Sequence, residues 1–159
     1  MNTAIVSGGQ TGVDRAALDV AEELGMPRSG WCPKGRLAED GTIPDCYPLM
    51  ETSSTDYSLR TEWNVRDSDG TLVLTKGTPT DGTAYTIEVA TSLRKPCLVL
   101  DLAEQPSPSV VREWMVAHKI RVLNIAGPRE SKFPGIYTQA KQFLRAALLP
   151  LLSKQSTEN

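Results

Sequence analysis

Short apolar runs alternate with longer amphipathic stretches along nearly the whole chain. Ala4-Ile5-Val6 is followed by a glycine turn and then by Val13, Ala17, Val20, Ala21 and Leu24, spaced along one face of a helix that Gly25-Met26-Pro27 stops. Leu72-Val73-Leu74 predicts the next long strand, and Ile87, Val89, Ala90 and Leu93 predict the helix after it. Cys97-Leu98-Val99-Leu100 is a continuous apolar run of the kind buried on both faces of a sheet, so Cys97 reads as core. Val110, Val111, Trp114 and Met115 stripe a further helix, and Val122-Leu123-Asn124-Ile125 supplies a strand. Pro134 stands at the expected first position of a last helix with Ile136, Ala140, Phe143, Leu144, Ala147, Leu148 and Leu151 along one face; Pro150 is expected to kink or end it.

Residues 28–55 break this rhythm. A short strand around Ser29-Gly30-Trp31 is followed by so many prolines and glycines that a long ordered loop is predicted. Trp31, Ile43, Tyr47, Leu49 and Met50 carry too much apolar surface for disorder, so the loop reads as a folded covering segment. Ser53 and Asp56 have capping-box spacing ahead of a short helix anchored by Tyr57, Leu59 and Trp63 and ended by Asp69-Gly70.

Strands alternating with helices predict an α/β fold: a Rossmann-like, doubly wound, mainly parallel sheet with helices on both faces. The length of 159 residues fits a single domain, placed at 1–152 with a polar C-terminal tail at 153–159. Seventeen basic and 19 acidic residues give a formal charge of −2, which argues against nucleic-acid binding but leaves room for a local basic pocket. No apolar run reaches membrane-spanning length. Cys32, Cys46 and Cys97 are odd in number, lack C-x-x-C spacing and follow no leader, so the expected compartment is a reducing cytoplasm.

Candidate chemistry gathers in three glycine turns, each between a strand and a helix. The first is Ser7-Gly8-Gly9-Gln10-Thr11-Gly12 with Asp14, the second runs from Lys76-Gly77 to Asp81-Gly82-Thr83, and the third is Gly127-Pro128-Arg129-Glu130-Ser131-Lys132. In a parallel sheet all three lie at the carboxyl ends of strands, where free N–H groups at a helix N-terminus can cradle a phosphate. Turns of this kind also serve to pack a helix closely on a sheet, and their spacing matches neither the dinucleotide fingerprint nor the P-loop. Lys34, Arg36, Arg60, Arg66 and Arg129 are candidates to bring positive charge to that pocket, with Glu62 and Asn64 as polar partners. The alternative is an ordinary ion-pair network with Glu39, Glu62 and Asp67, including a Glu62/Arg66 pair one helical turn apart. His118 is a surface residue at a helix end, and the cysteines lack paired-ligand spacing, so neither a serine triad nor a metal site is expected.

Ser7–Arg15, Gly30–Arg36 with Ala38-Glu39-Asp40-Gly41, and Arg60–Thr71 closely resemble the corresponding blocks of the molybdenum carrier family. The resemblance extends through Gly82-Thr83 and Gly127–Ser131, so it covers the chain to about the last helix. It implies a fold similar to molybdenum cofactor carrier proteins and, more distantly, to the cytokinin-activating phosphoribohydrolases often called lysine decarboxylases. The function implied is binding or carriage of a phosphorylated small molecule, molybdenum cofactor first and a nucleotide second, by a homo-oligomer. The leucines at 148, 149, 151 and 152 fit such an assembly by widening the apolar face of the last helix.

The distant enzymes carry a catalytic Glu three residues after a Gly-Thr pair, where this chain has Thr86. Glu88, five residues after Thr83, sits ~140° around the helix instead of ~60°. A hydrolase of an N-glycosidic bond would therefore need Glu62 or Asp67 as its catalytic carboxylate. A nucleotide-sensing module without turnover is the third possibility.

Overall fold

The computed structural model describes residues 3–155, with side chains to 152. Strand β1 (Ala4–Val6) leads through the first glycine turn into α1 (Val13–Glu23) and β2 (Arg28–Ser29). The covering segment contains β3 (Trp31–Cys32), the hairpin β4 (Leu37–Ala38) and β5 (Gly41–Thr42), and β6 (Met50–Glu51), which pairs with β3. Then come α2 (Tyr57–Arg66), β7 (Gly70–Thr75), α3 (Asp81–Ser92), β8 (Cys97–Asp101), a 3-10 turn at Leu102–Glu104, α4 (Ser109–Ala117), β9 (Val122–Ala126) and α5 (Ile136–Gln155).

The main sheet is five-stranded and parallel throughout, in the order β2-β1-β9-β7-β8. Alternation along the strands divides its faces. Ile5, Leu72, Leu74, Leu123 and Ile125 join the large core with Val13 and Val20 of α1, Val111 of α4, and Leu144 and Leu148 of α5. The intervening positions, Thr71, Val73, Thr75 and Asn124, are small or polar, and a second, smaller cluster of Val65, Val89 and Ala90 joins α2 to α3 on the opposite face.

Counted from β7 through β9 and on to β1 and β2, the spatial order becomes 2-1-3-4-5, a common doubly wound arrangement whose start has been moved. The neighbouring strands β9 and β7 feed helices on opposite faces, α5 and α3. That divergence opens a crevice at their carboxyl ends, the place where open α/β sheets take ligands.

Several local expectations are corrected. Asp56, expected as the far member of a capping box, is itself the N-cap of α2 and accepts the Ser58 N–H at 2.9 Å. Helix α5 starts at Ile136, past Pro134, and runs on through Pro150 to Gln155. Pro150 offers no N–H to the Ala146 carbonyl, and Arg112 of α4 donates its Nη1 there at 3.4 Å and to the Ala147 carbonyl at 3.2 Å. The expected tail at 153–159 thus begins inside a helix, and 156–159 lie outside the described residues. Leu148 is fully buried and Leu151 and Leu152 pack on the core, so only Leu149 of that group is an exposed large hydrophobic.

Candidate functional site

Most amides of the first glycine turn are already taken, those of Gly8 and Gly12 excepted. The Gly9 N–H meets Ser7 Oγ at 3.4 Å, Gln10 N–H meets Asp14 Oδ2 at 3.2 Å, Thr11 N–H meets Gln10 Oε1 at 3.1 Å, and Val13 N–H meets the Pro128 carbonyl at 3.3 Å. Gly12 is required here for contact: its φ is +80°, and a Cβ would stand 2.4 Å from the Pro128 oxygen. The turn locks α1 against the third turn.

The second turn behaves differently. Thr80 caps α3 without a side-chain hydrogen bond, and the first backbone bond into the helix comes from the Ala84 N–H. Among the described residues no acceptor meets the amides of Gly82 and Thr83. The positive end of this helix borders a cavity of about 310 Å³, at the small end of the ~300–1,000 Å³ typical of ligand sites.

The cavity lies over the carboxyl ends of β1, β9 and β7 beneath α2. Of the expected residues, Gly8, Gln10, Asp14, Arg60, Asn64, Asp81, Gly82, Thr83, Gly127 and Arg129 line it. Ser7, Gly9, Thr11 and Gly12 stand behind the wall as the framework of the first turn, and Lys34 and Gly77 are exposed away from it. Arg36 is fully engaged elsewhere: its guanidinium donates to the carbonyls of Ile43, Pro44, Tyr47 and Leu49, folding the covering segment around itself.

Glu62 and Arg66 face a neighbouring groove between α2 and α3 together with Glu88. Glu62 accepts the Tyr85 hydroxyl, and this bond pushes the Tyr85 pKa up to about 12. Arg66 pairs with Asp67 at 2.8 Å in place of the expected partner one turn back and lies over the Trp63 ring at 5.0 Å. Asp67 also accepts the Trp31 indole N–H at 2.8 Å and does not reach the cavity. The two carboxylates expected for hydrolysis are therefore outside it.

Three cations border the cavity. Lys132 Nζ meets Asp81 Oδ2 at 2.8 Å and the Thr80 hydroxyl, directly over the start of α3. Arg129 reaches Glu39 at 3.2 Å, and Glu39 also accepts from Thr11, Ser131 Oγ and the Ser131 N–H, pinning the β4–β5 hairpin tip to the first and third turns. Arg60 donates to the Gly8 carbonyl at 2.8 Å, lies 4.0 Å from Asp14 Oδ2 and covers the Tyr57 ring at 5.2 Å. Asp14 is 6% exposed; burial raises its pKa to about 6, against the lowering effects of Arg60, the Gln10 amide and Arg15.

Lys132, Asn124, Thr80 and Tyr57 also line the cavity without having been singled out by sequence. Asn124 carried a usable signal, because an Asn in the middle of a buried strand needs a polar reason. Lys132 belongs to the third glycine turn, but its position over α3 depends on how two loops distant in sequence meet. Among the described residues no three His, Cys, Asp or Glu side chains gather as a metal site, and no helix is long and apolar enough to cross a membrane.

A protein from Syntrophus aciditrophicus SB, provisionally named as a molybdenum carrier protein and solved as a crystal structure, is similar over 92% of this chain and 95% of its own. The identity is 49% and the TM-score 0.88. No curated protein matches. Residues 5–148 match the model of a family whose described permutation agrees with the displaced strand order of the sheet. The chain belongs to the circularly permutated YpsA SLOG family.

Proposed function

We propose that this protein binds and carries a phosphorylated small molecule in the crevice between β9 and β7, with molybdenum cofactor as the favoured cargo and a nucleotide second. The observation that carries the reading is the uncapped start of α3, whose free amides of Gly82 and Thr83 border the cavity beside Lys132 and Arg129. A phosphate there would take the helix amides as donors and gain from the dipole. Lys132 and Arg129 would turn from Asp81 and Glu39 to phosphate oxygens, leaving the exposed Asp81 carboxylate to solvent and Glu39 to its donors on Thr11 and Ser131. The name of the Syntrophus protein and the 49% identity to it favour the molybdenum cofactor, whose phosphate would sit at α3 and whose pterin would lie beneath α2.

Carriage needs no nucleophile. Hydrolysis of an N-glycosidic bond would need a carboxylate at the scissile bond, and Glu62 and Asp67 are turned to other partners. The same cavity serves a nucleotide-sensing module, which differs in lacking a delivered cargo. We place the protein in the cytoplasm as a homo-oligomer, for which Val116 of α4 and Leu149 of α5 offer exposed apolar side chains. Native mass spectrometry of protein purified from its own host, followed by incubation with nucleoside monophosphates, tests the function. Copurified pterin without released base supports carriage; base release overturns it in favour of a hydrolase.

A further inference from the structure

The phosphate reading accounts for the mouth of the cavity and leaves its floor unexplained. Gly8, Ala126 and Gly127 line it along the strand ends together with Asp14 and Asn124. Asp14 uses Oδ2 for the Gln10 N–H and for Arg60, while Oδ1 meets no donor among the described residues. Asn124 gives its Nδ2 to Thr71 Oγ1 at 3.3 Å, and its Oδ1 likewise meets none. No fully enclosed side-chain polar atom among the described residues lacks a partner, so both unpaired oxygens open into the cavity their residues line. These two acceptors, on residues only 6% and 3% exposed and opening to the cavity, are available to a ligand that supplies donors.

We infer that this floor is a subsite for a planar heterocycle carrying adjacent N–H donors, the 2-amino-4-oxopyrimidine edge shared by pterins and guanine, with Asp14 and Asn124 as its acceptors. The inference rests on the proposed function only in placing the phosphate at the opposite, cationic end. A carboxylate oxygen accepts ring N–H and exocyclic NH₂ groups well, with charge assistance. Adenine lacks this edge, since its ring nitrogen there is an acceptor whose lone pair would face that of the Asp14 oxygen. Ionised Asp14 is the accepting form. Arg60 of α2 and Arg15 of α1 are the charged groups that act on it, and both favour that form, against the burial that brings its titration to about 6.

Isothermal titration of the full chain with guanosine, inosine and adenosine monophosphates reads the subsite, and pyrophosphate reads the cationic mouth alone. Guanosine monophosphate is expected to bind about tenfold or more tighter than adenosine monophosphate, with inosine monophosphate between them because it keeps one donor. Asp14→Asn should flatten that order, and the guanine preference of the unaltered protein should weaken from pH 7.5 to pH 5. Equal binding of all three nucleotides, or an equal loss for all three in Asp14→Asn that assigns the carboxylate to the ribose, overturns the inference while the phosphate reading stands. Failure of pyrophosphate and every nucleotide to bind removes the phosphate reading. Guanosine against adenosine, which carry no phosphate, then decides the floor: an Asp14-dependent preference for guanosine keeps it, and no preference removes it.

Discussion

The side-chain amide of Asn64 closes a two-bond ring with the peptide of Trp31, accepting its N–H at 2.7 Å and donating to its carbonyl at 3.0 Å. Trp31 belongs to the covering segment and Asn64 to α2, so one amide substitutes for a strand neighbour and docks the two. The Trp31 and Trp63 rings then meet edge to face at 4.7 Å. Asn64→Ala leaves both backbone groups without that partner and is expected to cost ~1–3 kcal/mol in urea denaturation. Asn64→Asp should also destabilise, because a carboxylate cannot donate to the Trp31 carbonyl. An unchanged denaturation midpoint in both variants would show that the ring contributes nothing.

The guanidinium of Arg36 separates packing from binding. Its four carbonyl contacts hold the covering segment, whereas Lys132 and Arg129 border the cavity mouth. Arg36→Ala is expected to lower the melting temperature with little change in pyrophosphate affinity for the folded protein. Lys132→Ala and Arg129→Ala should each weaken that affinity, by ~1.5–3 kcal/mol for a lost charge-assisted contact, with little change in melting temperature. Calorimetry and a thermal shift on the same samples check both halves.

Asp14 makes stability depend on pH in the direction opposite to a salt-bridged carboxylate. Its folded pKa of about 6 stands above the ordinary 3.8, so between those values the folded chain holds a proton the unfolded chain has released. Its contribution to stability is therefore present below about pH 4 and is lost as pH rises through about 6. Asp14→Asn keeps the acceptor for the Gln10 amide and removes the buried charge. The variant should be more stable than the parent at pH 7.5, by on the order of 2 kcal/mol, with the difference closing toward pH 4. A destabilised Asp14→Asn at pH 7.5 would contradict this.

Arg112 makes a quieter contribution. With its guanidinium on the carbonyls of Ala146 and Ala147, α5 crosses Pro150 without leaving the Ala146 carbonyl unpartnered. Arg112→Ala should speed amide exchange in the last turns of α5 and cost ~1 kcal/mol. Replacing Pro150 with Ala restores the missing N–H and should recover most of that loss.

The sequence by itself determined the layers. Short apolar runs such as 72–74 and 97–100 and helical spacing in α1 and α5 are local properties, each written within about a dozen residues, and they placed nearly every main element. The three glycine turns were legible for the same reason, since a turn between strand and helix is a short-range event. Which turn stays more open was decided in part by tertiary structure. The amides of Gly9, Gln10 and Thr11 are filled by Ser7, Asp14 and Gln10 nearby, yet the Val13 N–H is taken by Pro128, 115 positions along the chain, whereas α3 keeps its first amides free. The fate of each charge was equally long-range. Arg36 is drawn into the loop by carbonyls that the chain's own folding exposes, Glu62 and Asp67 by Tyr85 and Trp31, and Lys132 to the start of α3 by the meeting of two loops. A charged side chain takes the best partner within reach, and reach is set by the packing of elements that sequence order does not specify.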